Sequence, residues 1–131
     1  MSKYIHFDRI CFTSQALLLA ALSDLGYADV EVGERLPLYG YQGDRRPETA
    51  DVVLRRQHIG RASNDIGFAR SIAGLVPIVS EYDQQTLFGG QFLVKLRTAY
   101  SERAVEELRR RLNGTVQRTV QDKLVRIRLR Y

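Results

Sequence analysis

Two segments of helical apolar period bracket a long stretch in which apolar side chains alternate instead. In the first, Leu17, Leu18, Ala21, Leu22 and Leu25 fall on one helical face. Thr13 and Ser14 stand ahead of it as N-cap candidates, and Gly26 follows as a C-terminal stop in the left-handed conformation. In the second, Phe92, Leu93, Leu96, Ala99, Tyr100, Ala104, Leu108 and Leu112 keep the period over residues 91–112, and Asn113-Gly114 is the expected end. A chain with helices only at these two places, and strand patterns before, between and after them, has few ways to bury its apolar faces. The pattern predicts an α+β fold: a mostly antiparallel sheet with the two long helices packed on one face, and the other face left to solvent or to binding.

The alternating segments predict the strands. Residues 3–9 set Ile5 and Phe7 against Tyr4, His6 and Asp8. Val30 and Val32 mark a short strand closed by Gly33. Residues 36–42 form a second, placed at a sheet edge by Pro37. Residues 43–49 read as a loop, 51–58 as a strand, 60–64 as a turn, 65–72 and 75–82 as strands, and 84–90 as a connection. After the second helix, residues 115–121 and 123–131 read as a hairpin. In its second strand Val125, Ile127, Leu129 and Tyr131 alternate with Arg126, Arg128 and Arg130. At 131 residues, with no linker or low-complexity tract, the expectation is a single domain over 1–131.

Charge separates along the chain. Residues 95–131 hold eleven basic and four acidic side chains, a net +7, while residues 1–94 carry −2. A basic half attracts anionic partners, and its arginines suit bidentate contacts. The longest apolar run, 16–22, is far short of the roughly 18 residues that span a bilayer. The N-terminus has no signal-like apolar region. A single cysteine excludes an intrachain disulfide. The expected location is a reducing cytoplasm.

Candidate chemistry is sparse. Cys11 precedes the first helix and would need His6 or His58 as a base, but a lone cysteine in that setting reads as a small buried apolar residue. Asp51 and Asp65 stand at two strand starts, where they would share a cation or, more commonly, bind loop amides. Gly40 and Gly43 make no phosphate loop, and Gly89-Gly90 reads as a flexible helix entry rather than an anion cradle. No catalytic constellation, metal or cofactor is expected. Surfaces are better represented. Tyr39 and Tyr41 lie on a short edge segment, and Arg126, Arg128, Arg130 and Tyr131 on the C-terminal strand. Tyrosine and arginine favour protein interfaces. With Arg109, Arg110 and Arg111 the same residues offer the alternative of RNA or DNA binding, although no RNA-recognition consensus is present.

Four segments resemble a known family, and they come in its order: Ala21-Leu22-Ser23-Asp24-Leu25-Gly26-Tyr27, Tyr39-Gly40-Tyr41-Gln42-Gly43, Ala50-Asp51-Val52-Val53-Leu54-Arg55-Arg56 and Asp65-Ile66-Gly67-Phe68. With Gln91-Phe92-Leu93 through Ala99-Tyr100, they resemble the hypothetical chloroplast reading frame family number thirty-five, small proteins of plastids, cyanobacteria and other bacteria. This chain departs from that pattern in having no tryptophan and an arginine-rich C-terminal strand. The resemblance implies the same kind of fold. It also implies a non-enzymatic accessory or adaptor role beside a protein partner, with an ATPase of the AAA+ kind as the candidate, since family members often occur next to such ATPases.

Overall fold

A computed structural model describes residues 2–121, with side chains through Thr115. The elements are β1 (Tyr4–His6), α1 (Gln15–Asp24), β2 (Glu31–Tyr39), β3 (Arg45–Leu54), β4 (Ile66–Arg70), β5 (Leu75–Ser80), α2 (Glu81–Thr86) and α3 (Phe92–Gln121). The strands make one sheet in the order β1-β5-β4-β3-β2, antiparallel at every pairing. The architecture is α+β, with α1 and α3 on one sheet face.

That face holds the larger core. Val52 and Leu54 of β3, Ile66 and Phe68 of β4 and Val79 of β5 meet Leu18 and Leu22 of α1 and Phe92, Leu93, Leu96 and Ala99 of α3. The two-residue period of the strands and the three-to-four-residue period of the helices are what bring these side chains together. Phe12 closes one end, packing edge-on against Phe68 and Tyr100.

Helix α1 forms where its caps predict. The Ser14 hydroxyl accepts from the Leu17 amide. At the other end Gly26 takes a φ of +99°, and the amides of Gly26 and Tyr27 donate back to the carbonyls of Ser23 and Leu22. These paired bonds close a Schellman turn, whose positive φ suits glycine.

One turn of α3 clamps both ends of α1. The Ser14 amide donates to the Tyr100 hydroxyl at 3.0 Å, and Arg103 grips Asp24 with bonds of 2.7 and 2.6 Å. The Arg103 bond holds the Asp24 carboxyl below the usual aspartate range. A lowered carboxyl pKa stabilises the fold above the unfolded value of about 3.9 and loses that contribution as pH falls through the folded value. Arg103→Ala is therefore expected to return Asp24 to an ordinary titration. Carboxyl-carbon NMR of the two proteins checks this, and an unmoved Asp24 midpoint would exclude the pair in solution.

The second sheet face is not open, contrary to expectation. Strand β2 is continuous through Gly33, with its register shifted between Val32 and Leu36 and Arg35 at a φ of +49°. This bulge bends the β2–β3 hairpin back over the sheet. Leu38 and Ala50 from the folded-over half then bury a second, smaller cluster with Tyr4, Val53 and Ile78. Gly33 and Pro37 resemble strand breaks in the sequence, so one bulged strand reads as two. The expected loop over 43–49 shrinks for the same reason, because β3 starts at Arg45 to pair with β2.

Other boundaries also shift. The strand expected over 51–58 stops at Leu54, and Arg56–His58 is a 3-10 turn. The strand expected over 75–82 ends at Ser80, whose hydroxyl accepts from the Asp83 amide and caps α2, a helix that takes the last two positions of the expected strand and the first part of the expected connection. Helix α3 continues through Asn113-Gly114 to Gln121, so no strand forms at 115–121. A glycine inside a helix costs only about 1 kcal/mol, too little to end this one. Residues 123–131, and with them the predicted C-terminal strand, lie outside the described residues.

Candidate functional site

The polar centre of the molecule lies where β3 ends and β4 begins, beneath the tip of the folded-over hairpin. Asp65, the residue before β4, is 1% exposed. Its Oδ2 accepts from the Tyr39 amide and from Arg55, both at 2.8 Å, and its Oδ1 accepts from the Arg56 amide at 2.7 Å. Its backbone amide donates to the Tyr39 carbonyl, and its carbonyl accepts from the Tyr4 hydroxyl at 2.7 Å. Burial, reinforced by the Asp65 charge, pushes the Tyr4 hydroxyl well above the ordinary tyrosine range.

Arg55 fills the space between the strands. Besides Asp65 it bonds Glu31 and the Pro37 carbonyl, and its guanidinium lies 5.7 Å from the centre of the Tyr39 ring. Burial opposes its charge, but the hydrogen bonds to Glu31 and Asp65 outweigh that and raise its pKa above the usual arginine value. Arg56 spends its side chain on the carbonyls of Tyr41, Ser63 and Arg61.

Asn64 ties the same hairpin to the sheet from the other side. Its Oδ1 accepts from the Tyr41 amide at 3.0 Å. Its own amide and Nδ2 donate to fully buried Asp83, and Nδ2 also donates to Ser80 Oγ. The tip 39–43 is thus fastened by Asp65, Arg56 and Asn64. Gly40 is buried at its base, where a Cβ would come within 2.5 Å of Asp44 Oδ1. Gly43 supplies a φ of +79°. The tip leaves Tyr41, Gln42 and Gly43 exposed, and Tyr41, 40% exposed, is its large apolar side chain. Beside it opens a cleft of about 710 Å³ lined by Asp29, Glu31, Tyr39, Arg55, Arg56 and His58, among others.

Of the sequence-predicted site residues, Tyr39 and Tyr41 meet here in unequal roles: Tyr39 is half-buried against Arg55, and Tyr41 is presented. Arg126, Arg128, Arg130 and Tyr131 lie outside the described residues. On α3, Arg109, Arg110 and Arg111 are exposed, and Arg111 bonds Glu107.

The possible catalytic pairs do not converge. Cys11 lies against Gly74 in the β4–β5 turn, whereas His58 is at the opposite end of β4, and His6 is exposed on β1. Asp51 binds the Arg35 and Arg70 amides, one strand length from Asp65. Both aspartates therefore satisfy backbone amides instead of sharing an ion. Around Gly89 and Gly90, at φ +62° and +85°, the Gln91 amide is spent on the carbonyls of Leu87 and Phe88. Among the described residues no group of three or more His, Cys, Asp or Glu side chains is placed to hold a metal ion, and no helix is long and apolar enough to cross a membrane.

Arg55, Asn64 and Asp83 were not legible as site residues. The one signal was the polar run Ser63-Asn64-Asp65 just before a strand, a place where short polar side chains commonly bind loop amides. Residues 39–43, 55–56 and 63–65 come together at this end from three separate segments of the chain. Comparison with protein-family models, curated proteins and solved structures finds no match.

Proposed function

We propose that the chain is a non-catalytic accessory protein that docks a protein partner on the hairpin tip 39–43 and the adjoining cleft. The observation that carries this reading is Tyr41: a large exposed ring on a turn whose backbone is fastened by buried polar side chains. A rigid aromatic anchor loses little conformational entropy on binding, which is the character of an interface hot spot. The adjoining cleft adds Asp29, Glu31 and His58 as polar groups. The edge strand β2 is a poor template for strand addition, being interrupted by the bulge and by Pro37. The partner is thus expected to bind through side chains. The resemblance makes an ATPase of the AAA+ kind the first partner to try, in a cytoplasmic complex.

Tyr41→Ala leaves the core untouched and is expected to weaken capture of that partner by roughly 10–30-fold. Arg110→Glu with Arg111→Glu is expected to change it far less, because exposed pairs contribute only about 0–1 kcal/mol. The measurement is a pull-down from host extract at two salt concentrations, with mass spectrometry and a nucleic-acid stain. A complex that contains RNA or DNA, falls steeply with salt and depends on the arginines rather than Tyr41 would replace this reading with the nucleic-acid one.

A further inference from the structure

The outer face of α3 is a second surface, separate from the hairpin tip. Phe92, Leu93, Leu96 and Ala99 turn into the core, while Val94, Val105 and Leu108 are 57%, 48% and 55% exposed. With Thr98, Ser101 and half-buried Leu112 they stand at 94, 98, 101, 105, 108 and 112. The steps alternate between four and three, the spacing of a coiled-coil seam. Arg103 is clamped to Asp24 of α1, and from there α3 continues to Gln121, about 27 Å further at 1.5 Å per residue. A lone helix of that length is marginal in water without a packed face.

We propose that this seam pairs with the same seam of a second copy, the two helices antiparallel about a twofold axis. Centred between Val105 and Leu108, that register sets Val105 against Leu108 of the second copy and Leu112 against Ser101, larger side chains over smaller ones. It also brings Glu102 beside Arg109 of the second copy, and the twofold axis repeats the pair. Both side chains are exposed on the borders of the seam, where opposite charges select partner and orientation. A parallel register stacks Ser101 on Ser101 and Thr98 on Thr98, which makes two of the six layers wholly polar. The antiparallel one also places the two sheet bodies at opposite ends of the pair, and the contact is isologous, so it closes at two.

Sedimentation equilibrium of the full chain over two decades of concentration tests this. A monomer–dimer equilibrium is expected. Leu108→Glu, at an exposed position and with its fold checked by circular dichroism, is expected to weaken it by roughly 100-fold or more, since each dimer carries the change twice. Arg109→Glu is expected to weaken it about tenfold, and Glu102→Arg in the same chain to restore it. A monomer at every concentration overturns the proposal, as it would if residues 122–131 of the chain covered the seam. So does a dimer that survives Leu108→Glu. A dimer that breaks with Leu108→Glu but is not restored by the charge exchange overturns the antiparallel register. Tyr41→Ala is expected to leave self-association unchanged, so loss of partner capture and loss of the dimer are separable results.

Discussion

Asp65→Ala is expected to lower stability by about 3 kcal/mol, the low end of the roughly 3–5 kcal/mol that follows breaking a buried ion pair from one side. The carboxylate accepts from two backbone amides, Tyr39 and Arg56, and from the Arg55 guanidinium. Its removal leaves two part-buried donors unmet, at about 1–3 kcal/mol each before relaxation and partial solvation. Arg55 keeps Glu31 and the Pro37 carbonyl, which holds the loss to the lower end. Asp65→Asn, which retains an acceptor oxygen, is expected to cost about half as much. Glu31→Ala removes only the exposed arm of the pair and is expected to cost less than about 1 kcal/mol. Urea denaturation of the three variants measures the order. If Asp65→Ala costs no more than Glu31→Ala, the buried carboxylate does not hold the hairpin to the sheet.

This result bears on the docking surface as well as on the fold. Asp65 and Asn64 position the turn that carries Tyr41 without contributing exposed area themselves. A folded Asp65→Asn protein should therefore lose partner affinity through a loosened tip, whereas Tyr41→Ala should lose it with its unfolding midpoint unchanged. The two variants separate the residue that fastens the surface from the residue that forms it.

Helix α1 and the start of α3 were legible because their signals are local, whereas the short α2 was not read at all. Ser14, the leucine stripe and Gly26 lie within one short window, and each acts on its own backbone. The core strands followed from alternation at Val52, Leu54, Ile66 and Phe68. The fold-back of the β2–β3 hairpin was not legible, because a bulge at Gly33 and Arg35 has the composition of a strand end. What distinguishes the two is a distant partner, the Asp65 carboxylate waiting for the Tyr39 amide. The site shows the same division. Tyr39 and Tyr41 stand out by residue type, and the structure places both at one tip. Arg55, Asn64 and Asp83 come from separate segments and acquire a role only once the sheet assembles. Asn113-Gly114 failed as a helix stop for an energetic reason: a roughly 1 kcal/mol preference is small beside the continuing helix on either side.

Gly67→Val is expected to destabilise by about 3 kcal/mol, the upper end of ordinary overpacking. A Cβ at Gly67 would lie 2.6 Å from the Ala50 Cβ and 3.1 Å from both Leu38 Cδ atoms. Leu38 can rotate away, but the Ala50 Cβ is fixed to the backbone of β3, so relief requires the hairpin to lift from β4. Lifting it would open the cluster of Leu38, Ala50, Val53 and Ile78 and draw the Tyr39 amide off Asp65. At roughly 4 °C per kcal/mol for a domain of this size, the melting temperature should fall by about 12 °C. Gly67→Ala should fall by less, and adding Ala50→Gly removes the colliding carbon. The double variant is therefore expected to recover most of the loss, short of the roughly 0.5–1 kcal/mol that a strand glycine costs. A coupling energy above about 1 kcal/mol between the two positions identifies direct contact, since independent sites add to within about 0.5 kcal/mol. If the effects at 50 and 67 simply add, these residues do not touch, and the hairpin does not cover the second face of the sheet in solution.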